Sequence, residues 1–253
     1  MTDPSLLPEI VAHRGNAAEF PENTLPALAS AVDLGVRHVE FDVQLTSDKV
    51  PVVLHDSDLA RVADRPDCIH DLSWSQFSEI PVGEPRRFGD RFAFTYPPSL
   101  AQTMEALSDW KDVTAFVEIK RASLRRFGRE IVLRRITDVV GPVLNRCVLI
   151  SFDLPSLRIL RMMTGARIGW VLPAYDGNTA TEASGVAPEY LFCNIERLPA
   201  AGERLWPGPW EWALYEVPDL QTARDCRSRG AGFVETMSVR TLLAAYRDSR
   251  RKW

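Results

Sequence analysis

Val36-Arg37-His38-Val39-Glu40-Phe41-Asp42-Val43-Gln44-Leu45 alternates polar and apolar residues from His38 to its end. Successive side chains of a strand point to opposite faces, so Val39, Phe41, Val43 and Leu45 share one face. His38, Glu40, Asp42 and Gln44 share the other. The apolar face suits packing against helices. The polar face sets two carboxylates ~7 Å apart along the strand. Like charges so close raise each other's pKa unless a cation lies between them. Oxygen donors of this kind suit Mg²⁺ or Ca²⁺ rather than zinc. The plainer reading is a surface strand with a polar face, but the strands before and after it read as buried.

Further strand candidates are residues 9–13, 50–55, 114–120, 147–152, 166–172, 190–194, 210–217 and 231–236. Amphipathic helical patterns lie between most of them, several ending at a glycine (Gly35, Gly165, Gly230), a common helix stop. Asp153 and Pro155, and Pro218 and Asp219, stand where helices begin. The strand–helix alternation repeats about eight times, which argues for a parallel sheet. At 253 residues a closed (β/α)8 barrel of the TIM type is the natural solution. An open doubly wound sheet is the rival, but no GxGxxG follows the first strand. No composition break suggests a linker, so the whole chain, 1–253, reads as a single barrel domain. Residues 56–98, rich in Pro, Arg and Asp, are too long for an ordinary connection. They read as a small insertion after the second strand region, hanging over the barrel mouth.

Bulk properties exclude several classes. Apolar content of 45% and charged content of 25% are ordinary for a soluble globular chain. A formal charge of −4 gives no sign of a nucleic-acid partner. Arg121, Arg125, Arg126, Arg129 and the tail Ser249–Trp253 read as solvated faces. The N-terminus lacks the basic flank and apolar core of a signal peptide, and no stretch approaches the ~20 apolar residues of a membrane span. Cys68, Cys147, Cys193 and Cys226 are far apart without CxxC spacing. These features point to a reducing, cytoplasmic setting.

Chemistry gathers at strand ends. His13 ends the first strand and is followed by Arg14, the usual bidentate phosphate partner, and by Gly15, which permits a sharp turn. His55 ends the strand after Glu40 and Asp42. In Thr114–Lys120, Phe116, Glu118 and Lys120 share a face, so Glu118 offers a third ligand and Lys120 an ammonium for a phosphate. An ion pair at the barrel mouth is the bland alternative. Two histidines framing a carboxylate cluster suit metal-assisted acid–base chemistry at phosphorus. His38 and His70 lack such a setting.

These residues stand in an ordered series: His13-Arg14-Gly15, Pro21-Glu22-Asn23-Thr24, Glu40-x-Asp42-Val43, Thr46-x-Asp48 and Val53-Leu54-His55-Asp56. Leu59-x-Arg61, Pro98-Ser99-Leu100, Glu118-Ile119-Lys120 and Ser151-Phe152-Asp153 continue it. The series resembles the glycerophosphodiester phosphodiesterases over about residues 1–153. The resemblance implies a TIM-type barrel with an insertion at 56–98. It also implies metal-dependent hydrolysis of a small-molecule glycerophosphodiester to sn-glycerol 3-phosphate and an alcohol, in lipid and glycerol metabolism. His13 and His55 match the acid–base pair. Glu40, Asp42 and Glu118 match the ligands of a divalent metal, Mg²⁺ or Ca²⁺. Arg14 and Lys120 would hold the phosphoryl oxygens. Asn23 or Thr24 would equally cap the helix that follows.

The C-terminal third departs from the family pattern. A Trp-Thr-Val-Asn-like element is expected where the chain has Leu214-Tyr215-Glu216-Val217. A Gly-Val-Asp-Gly-Ile-x-Thr-Asp-like element is expected at Gly230–Thr236. The departure leaves room for a lysophospholipase D-like or other phosphodiesterase using the same site. A non-catalytic phosphate-binding barrel is the third reading. Trp206, Trp210 and Trp212 would form either an apolar rim for the alcohol or ordinary packing.

Overall fold

The computed structural model describes residues 7–199 and 202–250. The first six residues, part of the signal-peptide reading, and most of the basic tail lie outside the described residues.

Alternating strand residues need two apolar environments when a sheet closes on itself, and this chain supplies both. Its strands are β1 (Glu9–Ala12), β2 (His38–Leu45), β3 (Pro51–Val53), β4 (Thr114–Ile119), β5 (Cys147–Ser151), β6 (Arg167–Val171), β7 (Tyr190–Asn194), β8 (Glu211–Tyr215) and β9 (Phe233–Thr236). Neighbours run in the order β1-β9-β8-β7-β6-β5-β4-β2, all parallel, and β1 also pairs with β2. That last pairing closes the expected (β/α)8 barrel. Val39, Phe41, Val43 and Leu45 face the outer core against the helices, as their parity predicts. Val11, Phe116, Val148, Ile150, Phe192 and Ala213 form a separate inner cluster. His38 sits among the lower rings, 5.0 Å from Phe233 and 6.2 Å from Phe116 between centroids.

Local signals fix most helix ends. Thr24 caps Leu25–Asp33, Asp153 caps Leu154–Thr164, and Ser99 makes a capping box with Gln102 at Leu100–Asp109. The stretch 123–140, whose pattern reads as one helix, breaks at Gly128 (φ +83°) into Arg121–Phe127 and Arg129–Val140. The helix Gly177–Val186 has no matching pattern in the sequence, because only Thr179 and Ala183 of it are buried.

One strand is not what the alternation implies. Residues 50–55 read as another strand in series, but β3 runs antiparallel to β2, with Val53 opposite Val43 and Pro51 opposite Leu45. The chain leaves β2 through the mouth and returns toward it, so His55 arrives from above. From there the insertion folds on its own small core, built on Val52, Leu54, Leu59, Val62, Ile69 and Phe77.

Candidate active site

The C-terminal ends of barrel strands meet at one cavity of about 210 Å³. His13, just past β1, Arg14, Glu40 on β2, His55, Glu118 on β4 and Lys120 line its charged side. Asp42 is not among the lining residues; it is 1% exposed and lies behind them. Apolar residues from β5 to β8 line the far wall. Thus the predicted site residues come together, with Asp42 one layer deeper.

Register explains the acid cluster. Asp42 and Glu118 are direct partners across β2 and β4, and Glu40 lies two residues before Asp42 on the same inward face. Carboxylate oxygens of Glu40, Asp42 and Glu118 lie within 4.8 Å of one another. Asp42 is gripped by Lys120 Nζ at 3.1 Å, Arg14 Nε at 3.2 Å and Asn23 Nδ2 at 2.9 Å. Burial pushes its carboxyl up, but Lys120 and Arg14 outweigh burial and hold it far below the usual range. Glu40 behaves oppositely: burial, then Asp42 and Glu235, push it well up. Burial also raises Glu118, although Lys120 Nζ donates to its Oε1 at 2.9 Å. Glu40 Oε1 is buried with no hydrogen-bond partner. An unsatisfied buried carboxylate among acids is costly, and a hard cation on all-oxygen donors relieves that cost. The donor set therefore fits Mg²⁺ or Ca²⁺.

The turn after β1 is built for close approach. Arg14 (φ +56°) and Gly15 (φ +82°) both adopt left-handed backbone, and a Cβ on Gly15 would meet the Ala27 carbonyl carbon at 2.5 Å. Arg14 N donates to Glu40 Oε2 at 3.1 Å, and its Nη1 donates to Glu22 Oε1 at 3.0 Å.

The two histidines have different surroundings. His13 is buried; its Nε2 is 3.9 Å from Glu40 Oε2 and its Nδ1 3.8 Å from Glu216 Oε1. Burial, with Arg14 beside it, drops its pKa to about 3. His55 Nδ1 is 2.6 Å from Asp56 Oδ1. An ionised carboxylate only accepts, so Nδ1 carries the proton and Nε2 is left for a ligand. Asp56 in turn accepts from Arg61 Nε at 2.8 Å, Arg61 binds Glu22, and Glu22 binds Arg14. A continuous chain of charged hydrogen bonds thus links His55 to Arg14. Gln44 Nε2 holds the His55 carbonyl at 3.0 Å. His70 stands 3.2 Å from Gln44 Oε1 and away from the cavity lining, in keeping with its unremarkable sequence setting.

Three acids of the site are not singled out by sequence as site carboxylates. Glu22 belongs to the Pro-Glu-Asn-Thr series, yet its partners Arg14 and Arg61 become visible only on folding. Glu235 on β9 is 3% exposed, and its Oε1 is buried without a partner. His13, Glu40 and Glu235 form a second close set sharing Glu40. Glu216 follows β8 and lines the cavity. Glu216 and Glu235 lie in the segments that depart from the family pattern, so no motif marks them.

One expectation is corrected, and one alternative is decided. Beyond His55, no residue of the insertion lines the cavity, so it does not enclose the pocket. It braces the site instead: Glu84 Oε1 accepts from Glu22 N at 2.6 Å, and Arg61 reaches Asp56 and Glu22. The tryptophans form no rim. Trp210 and Trp212 are buried in the outer core, and Trp206 stacks on Tyr175 at 4.0 Å.

A parallel barrel with ionisable residues converging at its C-terminal mouth defines the class as a TIM-barrel site of the enzymatic type. Residues 13–166 match the model of the glycerophosphoryl diester phosphodiesterase family, and the chain belongs to that family. A glycerophosphodiester phosphodiesterase of Caldanaerobacter subterraneus subsp. tengcongensis is 32% identical over 155 residues, 61% of this chain and 62% of that protein. The chain thus spans under two thirds of that relative's length, and 33% of the human glycerophosphodiester phosphodiesterase 1 it also matches. Among solved structures, an Oleispira antarctica phosphodiesterase in complex with the product sn-glycerol-3-phosphate superposes with a TM-score of 0.80 at 21% identity, covering 94% of this chain and 96% of that one. A glycerophosphodiester phosphodiesterase from Parabacteroides distasonis gives 0.76 at 17% identity, covering 96% and 98%. Likeness at those identities bears on the fold.

Among the described residues, no helix is long and apolar enough to cross a membrane. All four cysteines are free, three of them buried.

Proposed function

We propose that the chain is a metal-dependent phosphodiesterase that hydrolyses glycerophosphodiesters to sn-glycerol 3-phosphate and an alcohol. The observation that carries this reading is the convergence of His13, His55, Glu40 and Glu118 on one cavity flanked by Arg14 and Lys120, with Asp42 close behind Glu40 and Glu118. Family membership supports the substrate class.

Glu40, Asp42 and Glu118 would hold the divalent ion, which when bound neutralises charge developing on the phosphoryl oxygens. Arg14 and Lys120 orient the diester; both remain charged, since their acidic neighbours outweigh the cost of burial. His13 suits the base. It is buried and its Nδ1 has no hydrogen-bond partner, so that nitrogen is open to take a proton from the attacking oxygen. His55 suits the acid, because Asp56 Oδ1, 2.6 Å from its Nδ1, fixes the ring with Nε2 left for the leaving oxygen. His55 then delivers a proton to the departing alkoxide as the phosphorus–oxygen bond to the alcohol breaks. The cavity, about 210 Å³, is smaller than the ~300–1,000 Å³ typical of drug-sized pockets, which favours a compact diester over an enclosed acyl chain.

The test is an assay of purified protein on glycerophosphodiesters with Mg²⁺, Ca²⁺ or EDTA, scoring release of sn-glycerol 3-phosphate. Release that requires cation and stops on chelation is expected. No release from any glycerophosphodiester under either cation would sink the reading.

A further inference from the structure

The cavity is two-sided. Its charged side is formed by β1, β2, β4 and β9, and its far wall by Ile150, Phe152, Val171, Phe192 and Tyr215 from β5 to β8. Glu216 stands at the seam, directly after β8. Its side chain is 48% exposed, and the nearest ring nitrogen, Nδ1 of the neutral His13, lies 3.8 Å away, beyond hydrogen-bond range. No hydrogen bond to its carboxylate exists among the described residues. The other acids are deeper or engaged. Glu118 takes Lys120, Asp42 takes Lys120 and Arg14, and Glu40 accepts from the Arg14 amide. Glu235 is buried, its unpartnered Oε1 an acceptor suited to a hydroxyl donor. That places glycerol hydroxyls toward β9 and leaves the aromatic wall and Glu216 for the alcohol.

We propose that Glu216, with the rings of Phe152, Phe192 and Tyr215, forms the alcohol subsite and selects glycerophosphodiesters whose alcohol carries an ammonium group. The proposal rests on the phosphodiesterase reading above. A carboxylate beside aromatic faces attracts an ammonium by charge and by the ring quadrupoles. A neutral polyol gains neither, and an anionic alcohol is repelled. Primary and quaternary ammonium groups share the ring contact, but only a primary one donates hydrogen bonds to Glu216.

The experiment compares kcat/KM for glycerophosphoethanolamine, glycerophosphocholine and the neutral glycerophosphoglycerol, in the parent and in Glu216→Gln. The parent should favour both ammonium substrates over the neutral one by roughly tenfold. Glu216→Gln should bring that ratio to about three or below, with the ethanolamine arm falling further than the choline arm. Phe152→Leu provides a second variant and should lower the choline arm preferentially. A parent without ammonium preference overturns the proposal. So does a Glu216→Gln variant that slows every substrate equally, which would make Glu216 a positioning residue for His13. If the parent cleaves no glycerophosphodiester, the phosphodiesterase reading itself fails and this inference falls with it.

Discussion

His13 and His55 share a barrel mouth but not an environment, and in the proposed mechanism that asymmetry separates base from acid. We expect His13→Ala and His55→Ala each to leave a folded protein with kcat reduced by about 10² or more, the usual scale for losing a general acid or base. Near-parent turnover in either variant, with an unchanged circular dichroism spectrum, would remove that histidine from the reaction. Asp56 acts through His55, at 2.6 Å from its Nδ1. Asp56→Asn should lower kcat by roughly tenfold or more with little change in KM, since the amide no longer fixes the ring and its tautomer as the carboxylate does. A pure KM effect would assign Asp56 to substrate binding instead. At this scale the sequence is informative wherever neighbours in the chain are neighbours in space: Glu40 and Asp42 share a strand face, and Asp56 adjoins His55. It does not mark Glu22 or Glu235 as site acids: Glu22 meets Arg61 only across 39 residues of chain, and Glu235 meets Glu40 only across the barrel closure.

Elements place these residues through two devices, the tight turn after β1 and the antiparallel return through β3. In the turn, Gly15 has left-handed backbone and no room for a Cβ against Ala27. Gly15→Ala should cost about 3 kcal/mol or more, and at ~2–4 °C per kcal/mol for a chain of this size lower Tm by about 6 °C or more. An unchanged Tm in differential scanning fluorimetry would show that the turn relaxes. The return brings His55 back to the mouth, and the insertion then locks it through Arg61, which joins Asp56 to Glu22. Arg61→Ala should therefore reduce kcat, and combining it with Asp56→Asn should cost less than the product of the two single effects, as for residues acting in one network. Fully multiplicative effects would separate them. Alternation of apolar residues in 36–45 and 114–120 discloses strands and inward faces, because the period of two is fixed by backbone geometry. The direction of β3 is not disclosed. The same period serves parallel and antiparallel pairing, and only the short link 46–50 hints at a hairpin.

At the scale of the whole molecule, the acid cluster sits on the strands that close the barrel. β1 pairs with β2 on one side and β9 on the other, joining the two ends of the chain. His13, Glu40, Asp42, Glu118 and Glu235 hang from β1, β2, β4 and β9 across that closure. Barrel closure is legible in the eightfold alternation, and the cluster on β2 and β4 in its motifs. The contribution of β9 is not, since nothing in a single strand reveals which partner completes the ring. With Glu40 raised by burial, Asp42 and Glu235, and Glu235 raised by burial, Glu118 and Asp42, the cluster opposes closure unless something neutralises it. A cation held only by the folded barrel should therefore stabilise it: at a hundred times its Kd the gain is about 2.7 kcal/mol, or roughly 5–10 °C in Tm. Thermal unfolding with and without Mg²⁺ or Ca²⁺ measures this independently of turnover. Asp42→Asn should remove most of the shift, because it takes a charge from the deepest of the three carboxylates, while Glu22→Gln, outside the cluster, should retain it. A parent whose Tm ignores both cations, or an Asp42→Asn variant that keeps the full shift, would mean that these carboxylates are not the cation's seat.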